Sequence, residues 1–235
     1  FLLAIGASFI QRTTGFGFGI FIMTLLPFLM PSYGEATALS GLLAFTTSLI
    51  ASIKYRRFIT WGRLIPILSI FLVTSTIAIS VLSKMENGTI RFILGFILIF
   101  VSIWFAFLNK RIRFGTTLPY QLGAGSVSGL MGGFFGMHGP PAVLYFISCE
   151  KDKEHYMGMI QTYFVLTNAM MTLARGYNGF VTLTVGKCYI FCLAAVAIGS
   201  SLGAWAFSRI PGNKFPYVVY GYIGVSGFII LCSAM

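Results

Sequence analysis

Two hydrophobic runs in this chain, each long enough to cross a bilayer, are interrupted by short glycine-rich stretches that resemble one another. The first interruption reads Gln11, Arg12, Thr13, Thr14, Gly15, Phe16, Gly17, Phe18, Gly19, and the second Gly132, Gly133, Phe134, Phe135, Gly136, Met137, His138, Gly139, Pro140, Pro141. Laying Gly15 on Gly136 gives an offset of 121 residues, about half of the 235 in the chain. A break in an apolar helix frees N–H and C=O groups that lipid leaves unsatisfied, so it persists only where it faces protein or a wet cavity. A matched pair of such breaks in the two halves of a membrane protein points to a transporter's binding site.

The surroundings of the breaks fix the class. With 57% hydrophobic and 9% charged residues, the chain has too little polar surface for a water-soluble domain and reads as an all-α integral membrane protein. Apolar runs of the spanning length fall at about 1 to 30 (broken), 36 to 53, 61 to 83, 89 to 108, 118 to 148 (broken), 155 to 174, 182 to 207 and 215 to 234,. The formal charge of +11 comes from basic residues in short loops beside these runs. It therefore reads as topology-setting charge rather than a nucleic-acid surface. Cys149, Cys188, Cys192 and Cys232 contain no CxxC pair and read as packing residues, with no metal or cofactor implied. Asn87-Gly88-Thr89 matches a glycosylation acceptor and carries little weight. Phe1 opens directly on an apolar run without a charged n-region or a small-residue cleavage site, which reads as a trimmed start rather than a signal peptide.

The duplication extends past the glycines, because the same offset places Thr46 and Thr47 on Thr167 and Asn168, and Lys54 on Arg175. Each half is then one broken or re-entrant segment plus three ordinary spans: residues 1–108 form a first repeat, 109–117 a polar linker and 118–235 a second repeat. Loop charges test the arrangement. If all eight segments cross, one side carries 9 Lys and Arg against 6; if the broken segments turn back, the count is 11 against 4, with Arg12 left out of both. The second arrangement obeys the positive-inside rule better and gives the halves inverted orientations in a multi-pass protein of the inner or plasma membrane. Lys54 to Arg63 and Lys110 to Arg113 are cytoplasmic in both. Gly125 with Gly129, Gly199 with Gly203, and Gly221 with Gly224 and Gly227 have the spacing of close helix contacts, and Trp61, Trp104 and Trp205 sit near span ends as interfacial aromatics.

The breaks also suggest a chemistry. Gly15, Gly17 and Gly19 allow unwinding before a helix restarts near Phe18 and runs to about Met30, and Pro140 with Pro141 suits the first turn of a restarting helix. Two helix N-termini, each with roughly half a positive charge, would then form an anion site. Arg12 lies about eleven residues into an apolar segment, where an ionisable side chain either marks function or is an arginine that snorkels to the interface. His138 lies inside the second break, in either a neutral hydrogen-bonding role or contact with a proton or anion. Gln11, Thr13, Thr14, Thr46, Thr47, Gln161, Thr167 and Asn168 supply neutral donors. The acidic residues Glu35, Glu86, Glu150, Asp152 and Glu154 all fall at span ends or in loops, which disfavours a cation transporter. No GxSxG, HExxH or Walker A sequence is present, which disfavours an enzyme.

At these residues the chain resembles the TauE/SafE family of sulfite exporters. The resemblance is carried by Gln11 to Gly19 and by Ser128 to Phe146, the stretch SGLMGGFFGMHGPPAVLYF. It implies secondary transport of a small sulfur-containing anion, sulfite or an organosulfonate, by alternating access and without ATP. It also implies that Gln11 to Gly19 and Gly136 to Pro141 line the substrate; within these stretches Gln11, Arg12, Thr13, Thr14, Gly15, Phe16, Gly17, Phe18, Gly136, Met137, His138, Gly139 and Pro140 are the candidate binding residues, to which the neutral donors Thr46 and Asn168 are added from their own chemistry. Arg12 and His138 stand where many relatives are expected to carry small residues. A passive anion channel and a non-transporting membrane subunit are the alternatives.

Overall fold

The computed structural model describes residues 1–84, 115, 117–150, 152–215, 217–219, 221 and 222. The span expected at 89 to 108, most of the linker with Lys110 to Arg113, the Asn87 acceptor, Trp104, Gly224, Gly227 and Cys232 lie outside the described residues. Within them the secondary structure is helical, with no strand. The helices are α1 (Leu2–Thr14), α2 (Phe18–Met23), α3 (Leu26–Leu29), α4 (Tyr33–Tyr55), α5 (Trp61–Leu82), α6 (Leu118–Phe135), α7 (Gly139–Cys149), α8 (Lys153–Tyr177) and α9 (Leu183–Arg209), with a single 3₁₀ turn at Arg56–Phe58 after α4.

Local chemistry sets the ends of the long helices. Ser32 caps α4 by accepting from the Glu35 N–H at 3.2 Å, Asp152 caps α8 by accepting from the His155 N–H at 2.8 Å, and Thr182 caps α9 by accepting from the Val185 N–H at 3.3 Å. Each acceptor occupies one of the N–H groups that the first turn leaves free. The His155 N–H, helped by the His155 ring 2.8 Å from the second oxygen, holds the Asp152 carboxyl below its ordinary range. A carboxyl whose folded pKa is depressed stabilises the protein above that range, and the contribution is lost as pH falls through it. Asp152→Ala is therefore expected to cost about 1 kcal/mol at neutral pH, with the deficit vanishing in acid. Unfolding midpoints of the two proteins compared across pH measure it.

Among the described residues three helices are long and apolar enough to cross a membrane: Tyr33–Phe58 (α4 with its 3₁₀ turn), α5 and α9. α5 and α9 lie at the periphery, with Leu72, Val73, Ile77, Ile190, Phe191 and Ile198 exposed along their outer faces. Trp61 and Trp205 are exposed at span ends, as interfacial aromatics are. α8 matches their length but carries a polar face of Gln161, Thr167, Asn168 and Arg175, all buried. It packs against α4 at the centre of the molecule, while α1 packs on α9 and α6 on α5. Glycines make the last two contacts close. A methyl on Gly125 would lie 2.6 Å from Ile67 O, and one on Gly203 would lie 2.6 Å from Phe9 O, the small-residue packing expected of Gly125 with Gly129 and Gly199 with Gly203.

Both broken segments double back on themselves. After Gly136 the chain returns along α6, so that Ser128 Oγ donates to His138 O and Gln121 Nε2 donates to Tyr145 Oη at 3.1 Å. These pairs are in antiparallel register. In the first segment the Phe21 ring lies beside Gly6, 2.8 Å from where a methyl would stand. Each segment is therefore a helical hairpin, α1 with α2 and α6 with α7. The first return helix is shorter than the sequence suggests: it stops at Met23, where Thr24 turns its hydroxyl onto Phe21 O at 2.7 Å, and α3 restarts with Pro27 in its first turn. Proline there has no N–H to continue the α2 ladder.

Candidate functional site

Each hairpin turns through a glycine in the left-handed conformation. Gly15 (φ 91°) ends α1 and Gly136 (φ 68°) ends α6, a geometry a side chain disfavours. The helices restart at Phe18 and Gly139, positions related by the same 121-residue offset as the two glycines. Between cap and restart the breaks differ. Gly17 again has positive φ, at 98°, whereas His138 in the matching place has φ −97°, an ordinary value that admits a side chain.

The carbonyls freed at the turns are almost all taken. Thr14 O accepts from Tyr156 Oη at 3.2 Å and Gly15 O from Gln161 Nε2 at 2.7 Å. Phe16 O accepts from Thr14 Oγ1 at 2.9 Å, and Gly17 O from Phe21 N at 3.0 Å. In the second break Gly132 O accepts from both Gly136 N and Arg175 Nη2, and Phe135 O accepts from Tyr33 Oη at 3.4 Å. Acceptors are thus satisfied by protein, as broken backbone away from water requires. The N–H groups of Phe18, Gly19 and Ile20, at the start of α2, have no intrahelical partner. In α7 the same positions include Pro140 and Pro141, so the second N-terminus offers fewer donors than the sequence argument assigned it.

The two turns meet. A methyl on Gly19 would stand 2.5 Å from Gly136 O, so bare backbone touches bare backbone. Beside this contact lies a cavity with about 20 Å³ of space open to the centre of a water molecule, room for a water or two. Gln11, Gly17, Phe18, Gly19, Ile20, Ala44, Gly136, Met137, His138, Gly139, Phe164 and Asn168 line it, and no carboxylate is among them. Gln11 is tied to Ser48 Oγ and, at 3.4 Å, to Gln161 Oε1. His138 Nε2 lies 3.0 Å from Thr167 Oγ1, whose own proton goes to Tyr163 O at 2.8 Å. Nε2 is therefore the donor of that pair. Nδ1 is left as a buried acceptor without a partner,, against Phe164, whose ring centroid is 5.0 Å away.

Of the residues singled out from the sequence, Gln11, Gly17, Phe18, Gly136, Met137, His138, Gly139 and Asn168 come together around the cavity. Gly15 and Phe16 build the first turn and Pro140 opens α7, without lining it. Thr13 bonds Phe9 O at 2.8 Å, Thr14 bonds Ile10 O and Phe16 O at 2.9 Å each, and Thr46 pairs with Tyr189 Oη at 2.8 Å. Arg12 is buried on another face. One residue beyond Gln11 is about 100° further round the helix; Arg12 there packs its stem against Gly203 of α9, with its guanidinium 5.6 Å from the ring centroid of Tyr55 at the end of α4.

Sequence reasoning missed Arg175. Its place beside Gly176, Tyr177 and Asn178 puts it with the loop charges in a sequence reading, on the side that carries 4 in the re-entrant count, but it lies within α8 with no exposed surface. The signal was present as spacing: Asn168, Thr172 and Arg175 stand at i, i+4 and i+7, on one face of a helix. Taking Arg175 out of the loops removes one charge from the poorer side of the re-entrant count and strengthens that asymmetry.

Compared with models of known families, the chain matches the model described as Sulfite exporter TauE/SafE over residues 1–230. No curated protein and no solved structure matches it.

Proposed function

Because the chain belongs to the sulfite exporter TauE/SafE family, membrane transporters rather than enzymes, we propose that it carries a small sulfur oxoanion, sulfite first, by alternating access around the cavity between its two hairpin turns. The observation that carries this reading is the contact itself: two backbone turns border a small cavity lined by the first residues of α2, whose N–H groups have no intrahelical partner, and by no carboxylate,. Free N–H groups at a helix start favour an anion, and a broken helix pair at the interface of two repeats is where transporters hold their substrates.

The role of each group follows. The N–H groups of Phe18, Gly19 and Ile20 receive the anion's oxygens. His138, with Nε2–H committed to Thr167, offers Nδ1 to a proton carried by a protonated oxoanion or by water. Gln11 and Asn168 orient the substrate. The cavity is closer in size to an inorganic oxoanion than to an organosulfonate, which would need a more open state. Duplication is supported by the packing, since under the 121-residue offset α1 corresponds to α6, α4 to α8 and α5 to α9, and the partners exchange accordingly. The hairpins and the loop charges favour inverted halves, 1–108 and 118–235 joined by 109–117, in a multi-pass protein of the inner or plasma membrane.

Purified protein in liposomes preloaded with sulfite tests the reading. Labelled sulfite outside should enter by saturable counterflow against the unlabelled pool. Flux that rises linearly with concentration would instead mean a passive channel, and no flux of any sulfur oxoanion would refute transport.

A further inference from the structure

Arg175 heads the largest of the fully buried side chains. Its Nη2 donates to Gly132 O at 2.8 Å, while Nε and Nη1 have no hydrogen-bond partner. Among the described residues no carboxylate pairs with it. A buried guanidinium with donors unused and no counterion is costly to hold, so its retention calls for a compensating partner that arrives from outside.

The neighbours indicate where that partner sits. Thr172, about one turn earlier on α8, has a buried hydroxyl with no partner, and Asn168, a further turn back, lines the cavity. These side chains converge on α4 where it carries a glycine. A methyl on Gly41 would lie 3.4 Å from Arg175 Nη1, 3.6 Å from Thr172 Oγ1 and 3.8 Å from Asn168 Oδ1. Asn168 gives one N–H of its amide to Phe164 O at 2.8 Å and turns its Oδ1, an acceptor, toward Gly41, so the guanidinium and the hydroxyl are the donors nearest that point. The cluster adjoins the cavity through Asn168 and through Gly132, whose empty side-chain position is approached by His138 Cβ at 2.8 Å and Met171 Sδ at 3.0 Å.

We propose that Arg175 and Thr172 form the cationic seat of the transported anion, with an inorganic oxoanion placing an oxygen over Gly41 against Arg175 Nη1 and the Thr172 hydroxyl. This rests on the transporter reading and adds to it the source of the positive charge. The helix N–H groups orient the anion at the turns, and the guanidinium, which stays charged at any working pH, offsets its loss of water.

The test is sulfite-dependent stabilisation of the purified full-length protein, since a ligand that binds only the folded form raises its unfolding midpoint. Wild type should be stabilised by sulfite. Arg175→Lys, which keeps the charge but loses the planar fork, should bind at least about ten-fold more weakly, and Arg175→Gln should lose the response. Gly41→Ala separates binding from folding. It leaves Arg175 and its bond to Gly132 in place and suits the helix better, so its ligand-free midpoint should hold while its sulfite affinity falls about ten-fold or more. If Arg175→Gln does not fold, Arg175→Lys and Gly41→Ala decide. Wild-type affinity in Gly41→Ala and Arg175→Lys would overturn the seat while leaving sulfite transport standing. A wild type that neither responds to sulfite nor moves it would overturn both.

Discussion

Gly19→Ala is expected to reduce sulfite flux in liposomes by about 100-fold while the protein remains folded. The added methyl would meet Gly136 O at 2.5 Å, and that oxygen is main chain, fixed by the left-handed cap of α6. The hairpins must therefore separate, by about 1 Å to restore ordinary contact. A misplacement of that size in a preorganised site can cost about 100-fold in rate. Folding survives because alanine favours the helix over glycine by about 1 kcal/mol. Flux and unfolding midpoint measured on one preparation separate the two effects, and wild-type flux would mean that the meeting of the turns is not where transport happens.

The largest loss of stability is expected from Gly125→Val. Its Cβ would lie 2.6 Å from Ile67 O and crowd Ile70 on α5, so a branched side chain drives apart two helices that touch along their backbones. Overpacking of this kind costs about 3 kcal/mol. Gly123 is an internal control, two residues away on the same helix with no atom within 4 Å of an added methyl. Gly123→Val should leave the midpoint close to that of wild type. Equal midpoints for the two variants would refute the close approach of α5 and α6.

Much of the geometry of the candidate site was legible because its signals are local. Glycine where φ must be positive fixed both turns, and Phe18 and the Pro140-Pro141 pair fixed where the helices resume. What the residues around a turn face was harder to read. Gln11 and Arg12 are adjacent in sequence, yet one lines the cavity and the other lies against α9; that division depends on which helix α1 packs against. Arg175 misled for a related reason. Its neighbours Gly176, Tyr177 and Asn178 look like the end of a span, and its burial depends on Gly132 O, 43 residues away in sequence. A charge inside a membrane protein is placed by its acceptor, and nothing local announces that acceptor. The early end of α2 is the opposite case, since Pro27 was visible throughout and simply outweighed the apolar run around it.

The tyrosine and glutamine bonds at the turns bear on how the chain is assembled. Two of the first hairpin's freed carbonyls, Thr14 O and Gly15 O, are closed by Tyr156 and Gln161, which belong to residues 118–235. Phe135 O of the second hairpin is closed by Tyr33, from residues 1–108. Neither stretch completes its own turn alone, so Thr14 O and Gly15 O find these partners only once α8 is in place. The two stretches are therefore expected to fold together, each finishing the other's turn, and a chain severed between them should regain its shape only when both pieces share one membrane.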